Sequence, residues 1–216
     1  MTWIHQLSKA NIPFNVYKLN PEDSLVCSQI FNLDQILIII HGIIHVTHIY
    51  NNKEIIPLTI LFQGHTLSVT HKLYQIQSYY KYTSINTTYI ISFSKTSLHK
   101  IKNKVYIYVD ILNTYNLTIQ QYTIMKHIFI EKEMKYRLLK FIIFLCNKFG
   151  IIKHTYIYLP FSIKQKILAK ILGSNTVTIN RIIKELSQEL LIRYTYKKKI
   201  YITNIYIFRY YSYLLK

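Results

Sequence analysis

The chain has 216 residues, half of them apolar, and a formal charge of +18 with only nine acids. That is enough apolar material for one large domain or two modest cores, and the charge favours a polyanionic partner, nucleic acid before an anionic membrane surface. Two cysteines, Cys27 and Cys146, exclude a disulfide framework and lack the spacing of a metal site, which points to a reducing compartment.

The charge is unevenly spread. Residues 150–216 carry twelve Lys plus Arg against Glu185 and Glu189, whereas the other residues carry fifteen against seven. The heavy use of Ile, Tyr, Asn and Lys, all with A/T-rich codons, reflects the coding bias of an A/T-rich genome, so part of the lysine surplus is drift. Drift does not sort charge into one end of a chain.

In chain order, residues from Phe14 to Phe93 read as short strands. "QILIIIHGIIHVTHIY", "KEIIPLTILF", "HTLSV" and "INTTYIISFS" are rich in β-branched and aromatic residues and are separated by polar or glycine-containing joints. Strands at that spacing predict a sandwich or barrel. The run from Ile36 to Ile44 is too short to span a bilayer and predicts buried strand, and the amino terminus shows no signal-peptide pattern. From about Lys102 the period becomes helical: Val105, Ile107, Ile111, Leu117, Ile124 and Ile128 mark one long element, and Met134, Leu138, Phe141, Ile142 and Leu145 mark a second that stops at Gly150. A long helix without a partner in sequence suits pairing with its twin.

The stretch "KILAKILGSNTVTINRIIKELSQELLIRYTYKKKIYIT" predicts two helices hinged at Gly173 and then a basic hairpin. Leu168, Ala169 and Leu172 form the inner side of the first helix. Ala169 lets the backbones approach, Gly173 permits a tight turn, and Ser174 or Asn175 caps the next helix. Ile179, Ile182, Ile183 and Leu186 line the second. Thr176, Thr178, Asn180, Arg181 and Lys184 are left outward, as hydrogen-bonding or cationic groups suited to base edges and phosphates. "FSIKQ" spells a capping box from Ser162 to Gln165. The hairpin with Lys197, Lys198 and Lys199 at its tip adds a cationic wing beside the groove. An ordinary helical hairpin is the competing reading of the helix pair; the wing favours DNA.

These segments, with "RLLKFIIFLCNKFG" before them, resemble the carboxy-terminal third of the cyclic-AMP receptor protein (CRP/FNR) superfamily. They look most like its nitrogen-control regulators of cyanobacteria and algal plastids (NtcA type). The resemblance is strongest over residues 132–203 and collinear upstream, where Gly42 falls between two barrel strands. It implies an α+β protein with an N-terminal jelly-roll (double-stranded β-helix) sensor domain over residues 1–100, a dimerisation helix over 101–131 and a winged helix-turn-helix over 132–216, the helix pair's cap falling at Lys164. It further implies a homodimeric transcription regulator on double-stranded DNA, with RNA polymerase as a further partner and the plastid stroma as location, or the cytoplasm of an A/T-rich bacterium. No membrane role follows.

On this resemblance Thr176, Val177, Asn180 and Arg181 are the base-reading candidates. Lys166, Ser174, Thr178, Lys184 and the wing lysines are the phosphate candidates, and Ala169, Gly173 and Ile179 are the structural positions. Thr176 stands where an arginine usually reads guanine and cannot make the bidentate pair; Val177 agrees with the nitrogen regulators. A cyclic-nucleotide site needs a glutamate and an arginine, yet no arginine precedes Arg137 and residues 64–93 hold no acid, so cyclic nucleotide is not expected. For 2-oxoglutarate, the family's arginine falls near Tyr80 or Lys81 and its helix partners on Thr118 and Thr123; Lys81 lacks the planar fork.

His41, His45 and His48 have mixed spacing and predict no metal site, and two cysteines cannot hold the iron-sulfur cluster of some superfamily sensors. No nucleophile–base pairing or phosphate-cradling glycine loop is present, so no enzyme activity is expected. The competing function is a regulator-derived DNA-binding or interaction protein that has lost effector sensing and most operator preference.

Overall fold

In the computed structural model, residues 2–28, 34–67, 78–99 and 105–203 are described. The chain divides into two compact units, residues 1–125 and 126–216. The division falls within the long helix over residues 105–130, most of which belongs to the first unit.

The first unit opens with α1 (Thr2–Lys9), followed by strands β1 (Phe14–Leu19), β2 (Ser24–Ser28), β3 (Gln35–His41), β4 (Ile43–Tyr50), β5 (Ile55–Phe62), β6 (Ser78–Ser84) and β7 (Thr88–Ser94), then α2 (Lys95–His99) and α3 (Val105–Ile130). The strands form two antiparallel sheets in the orders β1-β7-β3 and β2-β6-β4-β5. Between them lies a core of Leu19, Leu37, Ile39, Ile44, Val46, Leu61, Leu67, Tyr80, Tyr82 and Ile90. On the other face of the three-stranded sheet, Ile36, Ile38, Ile91 and Phe93 join Trp3 and Leu7 of α1 and Ile107 and Ile111 of α3 in a second core. Strand β3 is buried on both faces, which explains the unbroken run "ILIII": alternate residues serve different cores.

Gly42 separates β3 from β4 with φ +98°, and a Cβ there would lie 2.6 Å from Thr88 Cα. The joint needs glycine for both conformation and space. On α3, Thr118 is fully buried. Its hydroxyl accepts from Thr66 N at 2.9 Å and donates to Thr114 O at 2.8 Å.

The second unit contains the end of α3, α4 (Met134–Phe149), β8 (Ile151–Lys153), β9 (Tyr156–Tyr158), α5 (Gln165–Leu172), α6 (Thr176–Gln188), β10 (Ile192–Tyr194) and β11 (Ile200–Ile202). Its antiparallel sheet has the order β10-β11-β9-β8. Leu138, Phe141, Ile142 and Leu145 of α4 are buried, as are the expected apolar residues of α5 and α6 and Ile157, Ile192, Ile200 and Ile202 of the sheet. At Gly150, the C-cap of α4, a Cβ would lie 2.3 Å from Cys146 O and 2.6 Å from Ile157 Cγ2, so the position has no room for a side chain; its φ of −66° is ordinary. Cys146 is buried, and burial pushes its thiol up to about 12, so it is a core residue and no nucleophile.

Candidate nucleic-acid interface

The turn between α5 and α6 is fixed by backbone chemistry. Gly173 adopts the left-handed conformation, φ 66° and ψ 41°, and its N–H and that of Ser174 both donate to Ala169 O, a left-handed helix end closed on a single carbonyl. Ala169 is buried. Asn175 caps α6, its Oδ1 accepting from Thr178 N at 2.7 Å, and so orients the recognition helix. At the start of α5, Lys164 is the N-cap residue without a side-chain cap bond, in place of the Ser162 capping box the sequence spells. Gln165 instead reaches across, its Nε2 donating to Asn180 Oδ1 at 3.3 Å.

That contact changes the role of Asn180. It is half-buried with one lone pair of its acceptor engaged, so it is less free than its neighbours to offer the donor-plus-acceptor pair that reads adenine. Thr176, Val177, Arg181 and Lys184 are exposed on α6. The spacing of Val177, Arg181 and Lys184 places them on one face. Val177 is 79% exposed; an uncovered valine on that face is suited to a thymine methyl. Ser174 and Thr178 are half-buried at the head of α6.

The wing is a tight hairpin. Thr195 N donates to Lys199 O and Lys198 N to Thr195 O, with Lys198 at φ 59°. Lys197 and Lys198 are exposed and Lys199 is half-buried. Tyr196 is 88% exposed, and the Lys197 ammonium sits 5.6 Å from its ring centre. Tyr194 turns inward, donating to Ile163 O at 2.8 Å and so tying the wing to the segment before α5.

Between the wing and the heads of both motif helices lies a cavity of about 490 Å³, lined by Lys164, Gln165, Lys166, Thr176, Tyr194, Thr195, Tyr196 and Lys198. Three ammonium groups and the positive end of α6 converge there, an arrangement suited to phosphate. Lys164, Tyr194, Thr195 and Tyr196 are additions to the sequence-based set. The signal available for the last three was the aromatic interleaving of "RYTYKKK".

The acids at the C-terminal end of α6, Glu185 and the cap residue Glu189, are paired. Lys135 of α4 binds Glu185 at 2.8 Å and Glu189 at 2.6 Å, and these bonds hold its ammonium well above the usual lysine range. Arg137 donates from Nε and Nη2 to Glu131 O and from Nη1 to Leu172 O, bracing the end of α5. It is a structural arginine.

In the first unit, the effector candidates are not brought together. Along β6, Tyr80 and Tyr82 are buried and Lys81 lies on the opposite face. Thr118 has its hydroxyl committed to Thr66 and Thr114, while Thr123 is exposed and donates to Ile119 O at 3.2 Å. Tyr80 is the residue beside α3: it stacks on His48 with ring centres 4.6 Å apart, and burial, with the charge of Tyr80 added, raises the Tyr122 phenol far above its ordinary range. Among the described residues, the buried Gln121 Nε2 has no hydrogen-bond partner. His45 and His48 are buried strand residues and His41 is exposed, and no cluster of metal-ligating side chains occurs among the described residues. No described helix is long and apolar enough to cross a membrane.

The Crp-like helix-turn-helix domain family matches residues 136–206. The putative HTH-type transcriptional regulator ycf28 of Porphyra purpurea is 24% identical over 204 residues, covering 92% of this chain and 82% of the relative. Two solved structures share the fold over nearly the whole chain. A cyclic nucleotide-binding domain containing protein from Listeria monocytogenes EGD-e has a TM-score of 0.71 at 16% identity, covering 94% of this chain and 96% of that one. A CRP/FNR-family transcriptional regulator from Thermus thermophilus has a TM-score of 0.64 at 13% identity, covering 91% and 97%. Residues 136–206 thus match a Crp-like helix-turn-helix, and the chain as a whole is similar in fold to these solved structures.

Proposed function

We propose that the protein is a sequence-specific, homodimeric DNA-binding regulator, with α6 in the major groove and the Lys197–Lys199 wing on the flanking backbone. The observation that carries this reading is the sorting of charge around α6: Glu185 and Glu189 pair with Lys135, and Arg181, Lys184, Lys197 and Lys198 are exposed with Val177 uncovered. Arg181 reads a base edge, Val177 meets a thymine methyl, and Lys164, Lys166, Lys184 and Lys198 neutralise phosphates. Asn180 positions the head of α5 through Gln165.

Dimerisation is supported by α3. Ile107, Ile111, Thr114, Thr118, Gln121 and Met125 form its buried side, whereas Val105, Val109, Leu112 and Ile119 are exposed at intervals of four, three and seven. Such an apolar seam suits a second copy of the same helix, and two copies would present recognition helices to half-sites one helical turn apart. The nitrogen-control and plastid reading is supported by Val177, by the A/T-rich composition and by the likeness to ycf28; contact with RNA polymerase belongs to the same reading. For the effector, the free donor of Gln121 supports a ligand bearing acceptor oxygens, such as 2-oxoglutarate, against α3 and away from Lys81.

Arg181→Ala tests the proposal. Selection from random duplex pools should yield a preferred site for the native chain, and the variant should bind that site more weakly by about 1–3 kcal/mol while its binding to other sequences changes little. A chain with no preferred site, held to all duplexes by salt-dependent charge alone, is the regulator-derived alternative that Thr176 in place of arginine brings to mind.

A further inference from the structure

The sheet of the second unit has a face the duplex reading does not use. Ile157, Ile192, Ile200 and Ile202 point into the core, so the alternate residues point away from it. The register aligns Ile151, Tyr158, Tyr201 and Arg193 in one row across the four strands, and Lys153 with Tyr156 in the next. The three tyrosine rings touch as one patch: Tyr158 and Tyr201 are stacked with centres 5.9 Å apart at 27°, and Tyr156 lies 5.8 Å from Tyr201 and 6.3 Å from Tyr158. Beside them opens a cavity of about 390 Å³ lined by Tyr156, Arg193, Thr195, Tyr201 and Thr203. The four strands contain no acid. Thr195 lines both this cavity and the one between the wing and the motif helices, so the two are neighbours.

We propose that this tyrosine face is a platform for single-stranded nucleic acid. Aromatic side chains stack on unpaired bases irrespective of sequence, and cations beside them hold the backbone; Arg193 and Lys153 flank the rings on opposite sides. A duplex keeps its base faces covered and cannot use the rings. An acidic protein would be drawn by the same cations but would have no need of three adjoining aromatic planes. The shared Thr195 gives the platform a physical connection: a strand that leaves a duplex held at the wing arrives at Tyr201 and Tyr156. The proposal does not rest on duplex recognition, because an isolated strand should bind.

The test uses the full chain and fluorescent oligothymidine and oligouridine strands of about twelve nucleotides, with binding read by anisotropy. Tyr156→Leu and Tyr158→Leu should each weaken strand binding about tenfold, Tyr158→Phe should retain it, and duplex binding should be unchanged in all three. Photocrosslinking of a 4-thiouridine-bearing strand to the native chain should label the segment containing Tyr156 and Tyr158, a readout that survives failure of a leucine variant to fold. The proposal is overturned by absence of strand binding, by leucine variants that bind as the native chain does, or by crosslinks confined to the wing. It is equally overturned if polyglutamate competes as well as the strand does, or if a folded leucine variant loses duplex binding in parallel.

Discussion

The two units handle polar groups in opposite ways. In the first, hydroxyls are turned inward and partnered: Thr118 with Thr66, Thr88 with Ser84, and the Tyr82 phenol with Leu67 O at 2.7 Å. In the second, the polar groups that matter stand outside, on the exposed face of α6 and at the wing, and the two acids of α6 are held at its far end by Lys135. The chain-wide charge of +18 therefore says less than where opposing charge has been removed. A surface becomes an interface for a polyanion when its acids are committed elsewhere.

The contrast is broken most severely at Gly42. Gly42→Ala combines a positive-φ alanine with a Cβ driven against the Thr88 backbone, and should destabilise the first unit by about 2–4 kcal/mol. Urea unfolding should show the loss in the transition of the first unit while the second keeps its midpoint. A shift below about 1 kcal/mol would mean that the β7 strand yields to the methyl group.

Acid should sharpen the same contrast. His48 is buried against Tyr80 and bonded to Ser78 Oγ at 2.8 Å, and burial lowers its pKa below the ordinary 6.5. Unfolding below that pH takes up a proton that the folded state refuses. The stabilisation is therefore complete above pH 6.5 and is lost as pH falls through the depressed folded value. The described histidines of the second unit, His127 and His154, are exposed. Thermal melts between neutral and mildly acidic pH should weaken the first unit alone, and His48→Gln should flatten that dependence.

Much of this organisation was legible in the sequence, for reasons that differ by element. "QILIIIHGIIHVTHIY" could be read as β3 and β4 because β-branched residues surround a single glycine, and that glycine sits at a joint that excludes any side chain. The α5–α6 turn was legible because Ala169 and Gly173 solve a steric problem few residues solve. The choice between Tyr80 and Lys81 for an effector was not legible: a shift of one residue along a strand exchanges its faces, and Lys81 falls on the face away from Tyr80. Asn180 shows a related limit. Helical spacing showed it near the outward side but could not show Gln165 reaching over from another helix to engage it. Val69 of the strand-like "HTLSV" and the helix start near Lys102 lie outside the described residues.

The smallest predicted effect discriminates best between stability and function, because the two should move in opposite directions. Lys198 holds φ 59° at the wing tip, where glycine would be free of the Cβ conflict that a lysine endures. A residue kept in that conformation without a packing reason is a candidate for function, and Lys198 lines the cavity shared with Lys164 and Lys166. Lys198→Gly should therefore leave the second unit as stable or more stable, by up to about 1 kcal/mol, while lowering the slope of log affinity against log salt by about one. A gain in stability with no change in that slope would leave the wing as a turn and nothing more. A loss in both would show that the lysine stem packs on the hairpin, with the exposed Tyr196 ring as the surface within its reach.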